Sequence, residues 1–127
     1  MCNVPQISDS EWKVMKIVWA NKSCTANQVV EVLSENTDWQ PQTIRTLINR
    51  LVKKGVLNYI VDENDKKTYH YFATVEERQC VKAESQSFLD RVFNGSLKVM
   101  MENFVSDSKL SEEDIDELKR ILDKKKG

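Results

Sequence analysis

The sequence predicts a mainly α-helical fold with a small β-hairpin. Three observations lead there. The first half holds three segments whose apolar residues recur at helical spacing, and two short runs rich in β-branched and aromatic residues follow at once. The last part of the chain returns to helical periodicity in three short segments. At 127 residues this is one domain, or one small domain with an appendage.

Ser8-Asp9-Ser10-Glu11 reads as a capping box, with Ser8 as the N-cap and Glu11 reaching back. The helix behind it is expected to bury Trp12, Met15, Val18 and Trp19; large side chains at this spacing point to core rather than to a cofactor site. Asn21-Lys22-Ser23 breaks the pattern. A second helix is expected over about 25–35, burying Ala26, Val29, Val30 and Leu33, and Asn36-Thr37-Asp38 turns into a third.

The third segment is the most informative. From Trp39 to Ile60 there are four basic residues (Arg45, Arg50, Lys53, Lys54) and no acidic one. Ile44, Leu47, Ile48 and Leu51 form the buried face. Gln42, Arg45, Thr46, Asn49 and Lys53 form the opposite face, flanked by Thr43 and Arg50. Pro41 suits the first turn, and Gly55 suits the position just past the end. Lys53 and Lys54 complement the negative end of the helix dipole. Such a face has the donors and acceptors that a DNA major groove requires: arginine for guanine, amide side chains for adenine, threonine for the thymine methyl. Gln42, Thr43, Arg45 and Thr46 are the candidates for groove contacts, and Arg50, Lys53 and Lys54 for phosphate contacts, with Asn49 also in the DNA-binding set. The helix alone would also fit an ordinary solvated basic face.

Val56–Val61 and Thr68–Phe72 flank Asp62-Glu63-Asn64-Asp65-Lys66-Lys67, a β-hairpin pattern. Three helices, the third basic, followed directly by a hairpin describe a winged helix-turn-helix. Lys66 and Lys67 at the wing could touch phosphate; equally, they could offset the neighbouring carboxylates. The winged helix is expected over 1–73 and a helical dimerisation region over 74–127.

In that second region Thr74-Val75-Glu76-Glu77 reads as another capping box, opening a helix to about Asn94, with Gly95 ending it. It presents Val81, Phe88, Leu89, Val92 and Phe93. A stretch over 96–105 presents Leu97, Met100, Met101 and Phe104. The last helix starts at Ser111 with acids in its first turn, ends in Lys124-Lys125-Lys126, and carries a seam of Ile115, Leu118 and Ile121 or Leu122. So short a segment rarely encloses this many large apolar side chains. A second copy of the chain is the simplest cover, and a two-fold dimer would set two recognition helices about one DNA turn apart. Folding back onto the first domain is the alternative.

Composition narrows the function further. The formal net charge is −1, so nucleic-acid binding must rest on local charge. Residues 1–73 hold nine Lys/Arg against eight Asp/Glu, and residues 74–127 ten against twelve, consistent with two segments of different jobs. Cys2, Cys24 and Cys80 form no disulfide framework and no Cys-x-x-Cys pair, so reduced thiols are expected. There is no secretory pattern at the start and no apolar run long enough for a membrane span, which suggests a cytoplasmic protein with no membrane insertion. The single histidine, His70, sits mid-strand between tyrosines; no metalloprotease, phosphate-loop or nucleophile-elbow motif occurs. No enzyme activity, metal or cofactor is expected. A winged-helix module that docks proteins rather than DNA is the competing class. The acid-free outer face argues against it.

With these pieces placed, the sequence resembles the BlaI/MecI family of penicillinase and methicillin-resistance repressors. Ser10-Glu11-Trp12-x-Val14-Met15-x-Ile17-x-Trp19 is similar to the family's first helix. Thr43-Ile44-Arg45-Thr46-Leu47-Ile48-x-Arg50-Leu51-x-Lys53-Lys54-Gly55 is similar to its recognition helix and is the most specific match. Asn103-Phe104-Val105, then Leu110-Ser111-x-x-x-Ile115-x-Glu117-Leu118, resembles its C-terminal region. The resemblance implies a homodimeric repressor on a palindromic operator of β-lactam-resistance genes. It also implies a membrane sensor with a zinc metalloprotease domain, whose action leads to cleavage at an Asn–Phe bond, here Asn103–Phe104. Glu102 departs from the apolar residue that often precedes that bond in the family. Copper-responsive relatives carry Cys-x-Cys pairs near the C-terminus; here no cysteine follows Cys80, so metal sensing of that kind is not expected. Winged-helix regulators controlled by a ligand are the alternative.

Overall fold

The computed structural model describes residues 4–107 and 109–127, so Cys2 lies outside the described residues. The chain divides into two compact units, Met1–Glu84 and Ser85–Gly127.

The first unit opens with α1, Asp9–Asn21. The expected capping box is present: the Glu11 backbone N–H donates to the Ser8 hydroxyl, and the Ser8 N–H donates to the Glu11 carboxylate. Val14, Met15 and Val18 enter the core. Trp12 and Trp19, expected there too, are only half-buried at its edge, their rings 5.7 Å apart. A buried indole N–H usually finds an acceptor. Trp19 Nε1 does, at the Val75 carbonyl 3.0 Å away, whereas Trp12 Nε1 is buried with no hydrogen-bond partner among the described residues.

A short strand, β1 (Ser23–Thr25), follows where only a break in pattern was expected. Three residues are too few to show an alternating pattern. Thr25 then caps α2, Ala26–Asn36, through a reciprocal box with Gln28. Val29 and Leu33 are buried, whereas Ala26 and Val30 pack half-buried against the core. The turn after α2 is tied by Thr37, whose N–H and hydroxyl both donate to the Leu33 carbonyl.

Helix α3 spans Pro41–Lys54 with proline in its first turn. Ile44, Leu47, Ile48 and Leu51 are all buried, as their spacing required. Gly55 ends the helix at φ 83° and donates its N–H back to α3 carbonyls, a left-handed cap that other residues adopt at a cost. Strands β2 (Leu57–Val61) and β3 (Tyr69–Ala73) form the hairpin, with Tyr59 opposite Tyr71 and Leu57 opposite Ala73. β3 also pairs with β1, Cys24 opposite Tyr71, so the sheet has three antiparallel strands in the order β1–β3–β2 rather than two.

The first unit runs on to Glu84, past the boundary expected after Ala73. Helix α4 (Glu77–Phe93) begins inside it: Cys80 is buried in the same core, and the Glu77 carboxylate pairs with Lys16 of α1. The capping box expected at Thr74–Glu77 does not form. The Thr74 hydroxyl instead donates to the Gly55 carbonyl, and the Gln79 side chain receives the Glu76 N–H. The long-range bond to Gly55 draws Thr74 away, a local contact three residues apart forms at Glu76 and Gln79 instead, and the helix starts later.

In the second unit, α4 ends in a turn with Asn94 at φ 51° and Gly95 at φ 82°. Helices α5 (Leu97–Asp107) and α6 (Glu112–Lys126) follow. Ser111 caps α6 in a reciprocal box with Asp114, and Lys124, Lys125 and Lys126 occupy its last turn. Phe93 meets Phe88 and Phe104 edge to face, with ring centroids 5.8 and 6.4 Å away. Among the described residues of this unit, none is fully buried.

Candidate nucleic-acid interface

The buried stripe of α3 fixes which way its other residues face. Gln42, Thr43, Arg45, Asn49, Arg50 and Lys53 are all exposed, and Thr46 is half-buried. The Thr46 hydroxyl donates to the Gln42 carbonyl one turn back, so its polar atom serves the helix backbone. Among the described residues no carboxylate pairs with Arg45, Arg50 or Lys53. The cationic face is therefore not neutralised from within the domain.

Arg45 is held from a neighbouring helix: its Nη2 donates to Asn27 Oδ1, in the first turn of α2, at 2.6 Å. Both border a cleft of about 470 Å³ whose walls include Thr25 of β1 and Lys67, Thr68 and Tyr69 of the wing. Among the described residues, no Asp or Glu lines it. Asn27, Thr68 and Tyr69 were not among the residues singled out from sequence. The one available signal was an asparagine just inside a helix start, which by itself reads as ordinary end chemistry.

The wing lysines bear on the alternative that they only offset nearby acids. The Asp62 carboxylate accepts the N–H groups of Asn64 and Asp65 and meets His70 Nε2 at 3.0 Å. The His70 hydrogen bond, then those backbone N–H groups, hold the Asp62 carboxyl below its usual range. Asp65 accepts from the Lys67 N–H and the Thr68 hydroxyl. Both carboxylates shape the turn, while Lys66 and Lys67 are exposed and, among the described residues, form no ion pair. Lys67 shares the cleft with Arg45.

Lys54 behaves differently. Its ammonium turns inward, donating to the Gln6 carbonyl at 2.8 Å and to Glu11 Oε1. Glu11 is 1% exposed and the one buried charged residue among those described. Burial alone would raise its carboxyl; the Lys54 and Ser8 hydrogen bonds outweigh that and hold it below its usual value. The structure thus separates Lys54 from the other basic residues of α3. Burial raises the Tyr71 phenol behind the cleft, with Tyr59 and Tyr69 adding and Arg45 opposing.

In the second unit, the apolar residues that the sequence assigns to dimerisation remain open to solvent. Phe88, Val92, Leu97, Phe104, Ile115, Ile121 and Leu122 are exposed, with Leu122 at 60%; Leu89, Phe93, Met100, Met101 and Leu118 are half-buried. The Asn103–Phe104 bond lies inside α5, where the Asn103 side chain donates to the Val99 carbonyl at 3.0 Å. Among the described residues there is no group of three or more metal-ligating side chains, and no helix is long and apolar enough to cross a membrane.

Comparison with known proteins bears directly on this arrangement. The chain is 40% identical over 127 residues to the penicillinase repressor of Bacillus licheniformis, covering 100% of this chain and 97% of that one. It is 41% identical over 120 residues to the methicillin resistance regulatory protein MecI of Staphylococcus aureus, 94% of this chain and 95% of that one. Its fold matches the solution structure of Bacillus licheniformis BlaI, monomeric form, in complex with the blaP half-operator. That match has TM-score 0.53 and 39% identity, over 61% of this chain and 90% of that chain. Wild-type MarR from E. coli, at 18% identity and TM-score 0.56 over 93% of this chain and 76% of that one, shares the fold. The family model described as penicillinase repressor matches residues 7–124. With a match that long and relatives that similar across nearly their whole length, the chain belongs to the penicillinase repressor family.

Proposed function

We propose that the protein is a homodimeric transcriptional repressor of β-lactam-resistance genes. In this reading α3 enters the major groove of each half of a palindromic operator. Gln42, Thr43, Arg45, Thr46 and Asn49 face the bases, while Arg50, Lys53 and the wing residues Lys66 and Lys67 meet phosphates. The observation that carries it is the acid-free outer face of α3, with Arg45 and the wing's Lys67 bordering one cleft that also lacks carboxylates. Lys54 is left out of the contact set, since its ammonium serves Glu11.

The exposed apolar residues of α4, α5 and α6 support dimerisation through the second unit, because a monomer gains little by leaving them in water. Repression ends when a membrane sensor's metalloprotease action leads to a cut between Asn103 and Phe104 in the cytoplasm. The cut divides α5 and separates parts of the shared core, so the two half-sites are no longer held together.

Binding across a salt series to a duplex library with a randomised palindrome tests this, with a mixed-sequence duplex as control. The expected result is enrichment of a dyad sequence and steep salt dependence. Equal weak binding to every duplex would reject operator reading, and no binding at all would turn the search to a protein partner.

A further inference from the structure

The hydrogen bond between Arg45 and Asn27 fixes more than two helices. Arg45 stands on the outer face of α3, and an exposed arginine on a helix ordinarily samples many rotamers. Here Nη2 donates to Asn27 Oδ1 at 2.6 Å. A guanidinium has five N–H donors in a rigid planar fork. One is spent on Asn27, itself exposed, and that bond favours one orientation of the remaining four. The acceptor matters too. A carboxylate at this place would hold the fork equally well but cancel its charge, whereas an amide oxygen holds it and leaves the charge intact. Among the described residues the adjoining cleft walls carry Lys67 and no acid, so no carboxylate there competes for the fork.

We propose that Asn27 is the positioning residue for Arg45 and so a determinant of operator specificity. This rests on the DNA-reading function proposed above. Asn27 touches no base; it presets the plane in which Arg45 meets a guanine edge, so less freedom is lost on binding. Its contribution therefore shows at one base position, the one Arg45 reads.

The test is a set of position-by-position base preferences, measured on full-length chains with single-substitution duplexes derived from the operator selected by the wild type. The chains are wild type, Asn27→Ala, Asn27→Ser, Asn27→Asp, Arg45→Ala and the Asn27→Ala/Arg45→Ala pair. Asn27→Ala should lower discrimination by about three- to tenfold at the base position that Arg45→Ala relaxes, part of what a bidentate arginine–guanine contact supplies, and leave the other positions unchanged. It should have no effect once Arg45 is alanine. Serine, which favours helix starts but is too short to reach, should behave as alanine does and guards against a folding defect. Asn27→Asp should weaken binding to every duplex while keeping the preference.

A uniform loss in Asn27→Ala, with every preference intact, would overturn the proposal and leave Asn27 as a staple between α2 and α3. Loss of the preference in Asn27→Asp would also overturn it. Absence of any sequence preference in the wild type would instead overturn operator reading itself.

Discussion

Lys54, the last residue of α3, donates to the buried carboxylate of Glu11 at the start of α1. The same carboxylate closes the α1 capping box, so one acidic group ties the end of the basic helix to the beginning of the fold. Lys54→Ala would strand that charge in the core. The expected loss is about 1–3 kcal/mol, below the full cost of orphaning a buried charge because the Lys54 side chain is itself partly in water. Denaturant midpoints measure it, and a loss under about 0.5 kcal/mol, the range of ordinary surface changes, would mean that water replaces the lysine.

Glu11 also gives stability a pH dependence of definite sign. Its carboxyl is held below the ordinary value of 4.5 in the folded chain. The contribution is therefore complete above that value and is lost as pH falls through the folded value. Glu11→Gln removes the titrating group. The stability gap between wild type and Glu11→Gln should be constant near neutrality and shrink in acid; a gap independent of pH would show that the pair contributes no linkage.

Arg45 and Lys53 lie on one helix face but are expected to fail differently. Arg45→Ala should cost about 1–3 kcal/mol on the preferred operator and relax one base position. Lys53→Ala should weaken all duplexes alike and lower the slope of log affinity against log salt by about one. A uniform loss for Arg45→Ala would make it a phosphate contact, and an unchanged slope would remove Lys53 from the interface.

Ile121 and Leu122 of α6 are exposed apolar neighbours suited to a partner chain. Placing aspartate at both should give a monomer by sedimentation equilibrium. Affinity for a full palindrome should fall by about a hundredfold or more, from lost bivalency, while half-site affinity stays the same. Retention of the dimer would move the interface off this face.

The Asn103–Phe104 bond is helical, and a protease needs an extended strand. Cleavage should then follow the population in which α5 opens. Val99 is an exposed α5 residue one turn before the bond. A Val99→Gly chain should be cut about fivefold faster than Val99→Ala, following their helix propensities. A zinc endopeptidase that cuts before large apolar residues provides the assay, with the products identified by mass. Equal rates would mean that the bond is attacked without helix opening.

The α3 stripe, the box at Ser8 and the start of the last helix at Ser111 were legible because each rests on residues within a few positions of one another. What escaped depends on partners distant in sequence. Thr74 abandons its local box for the Gly55 carbonyl, and Lys54 turns from the outer face to Glu11. β1 is defined by its pairing with β3 rather than by any pattern of its own. Asn27 acquires its role only when α2 brings it to Arg45.

That same strand couples two parts usually treated as separable. β1 leads directly into α2 and also borders β3, so the wing is stitched to the helix pair along Ser23, Cys24 and Thr25. The wing and α3 therefore cannot seek their ligands one at a time, as two domains on a tether would. In the proposed complex they would meet a duplex like the two jaws of a single die. Damage at Lys67 and damage at Arg45 should be felt by each other, and their joint loss should depart from the sum of the separate ones.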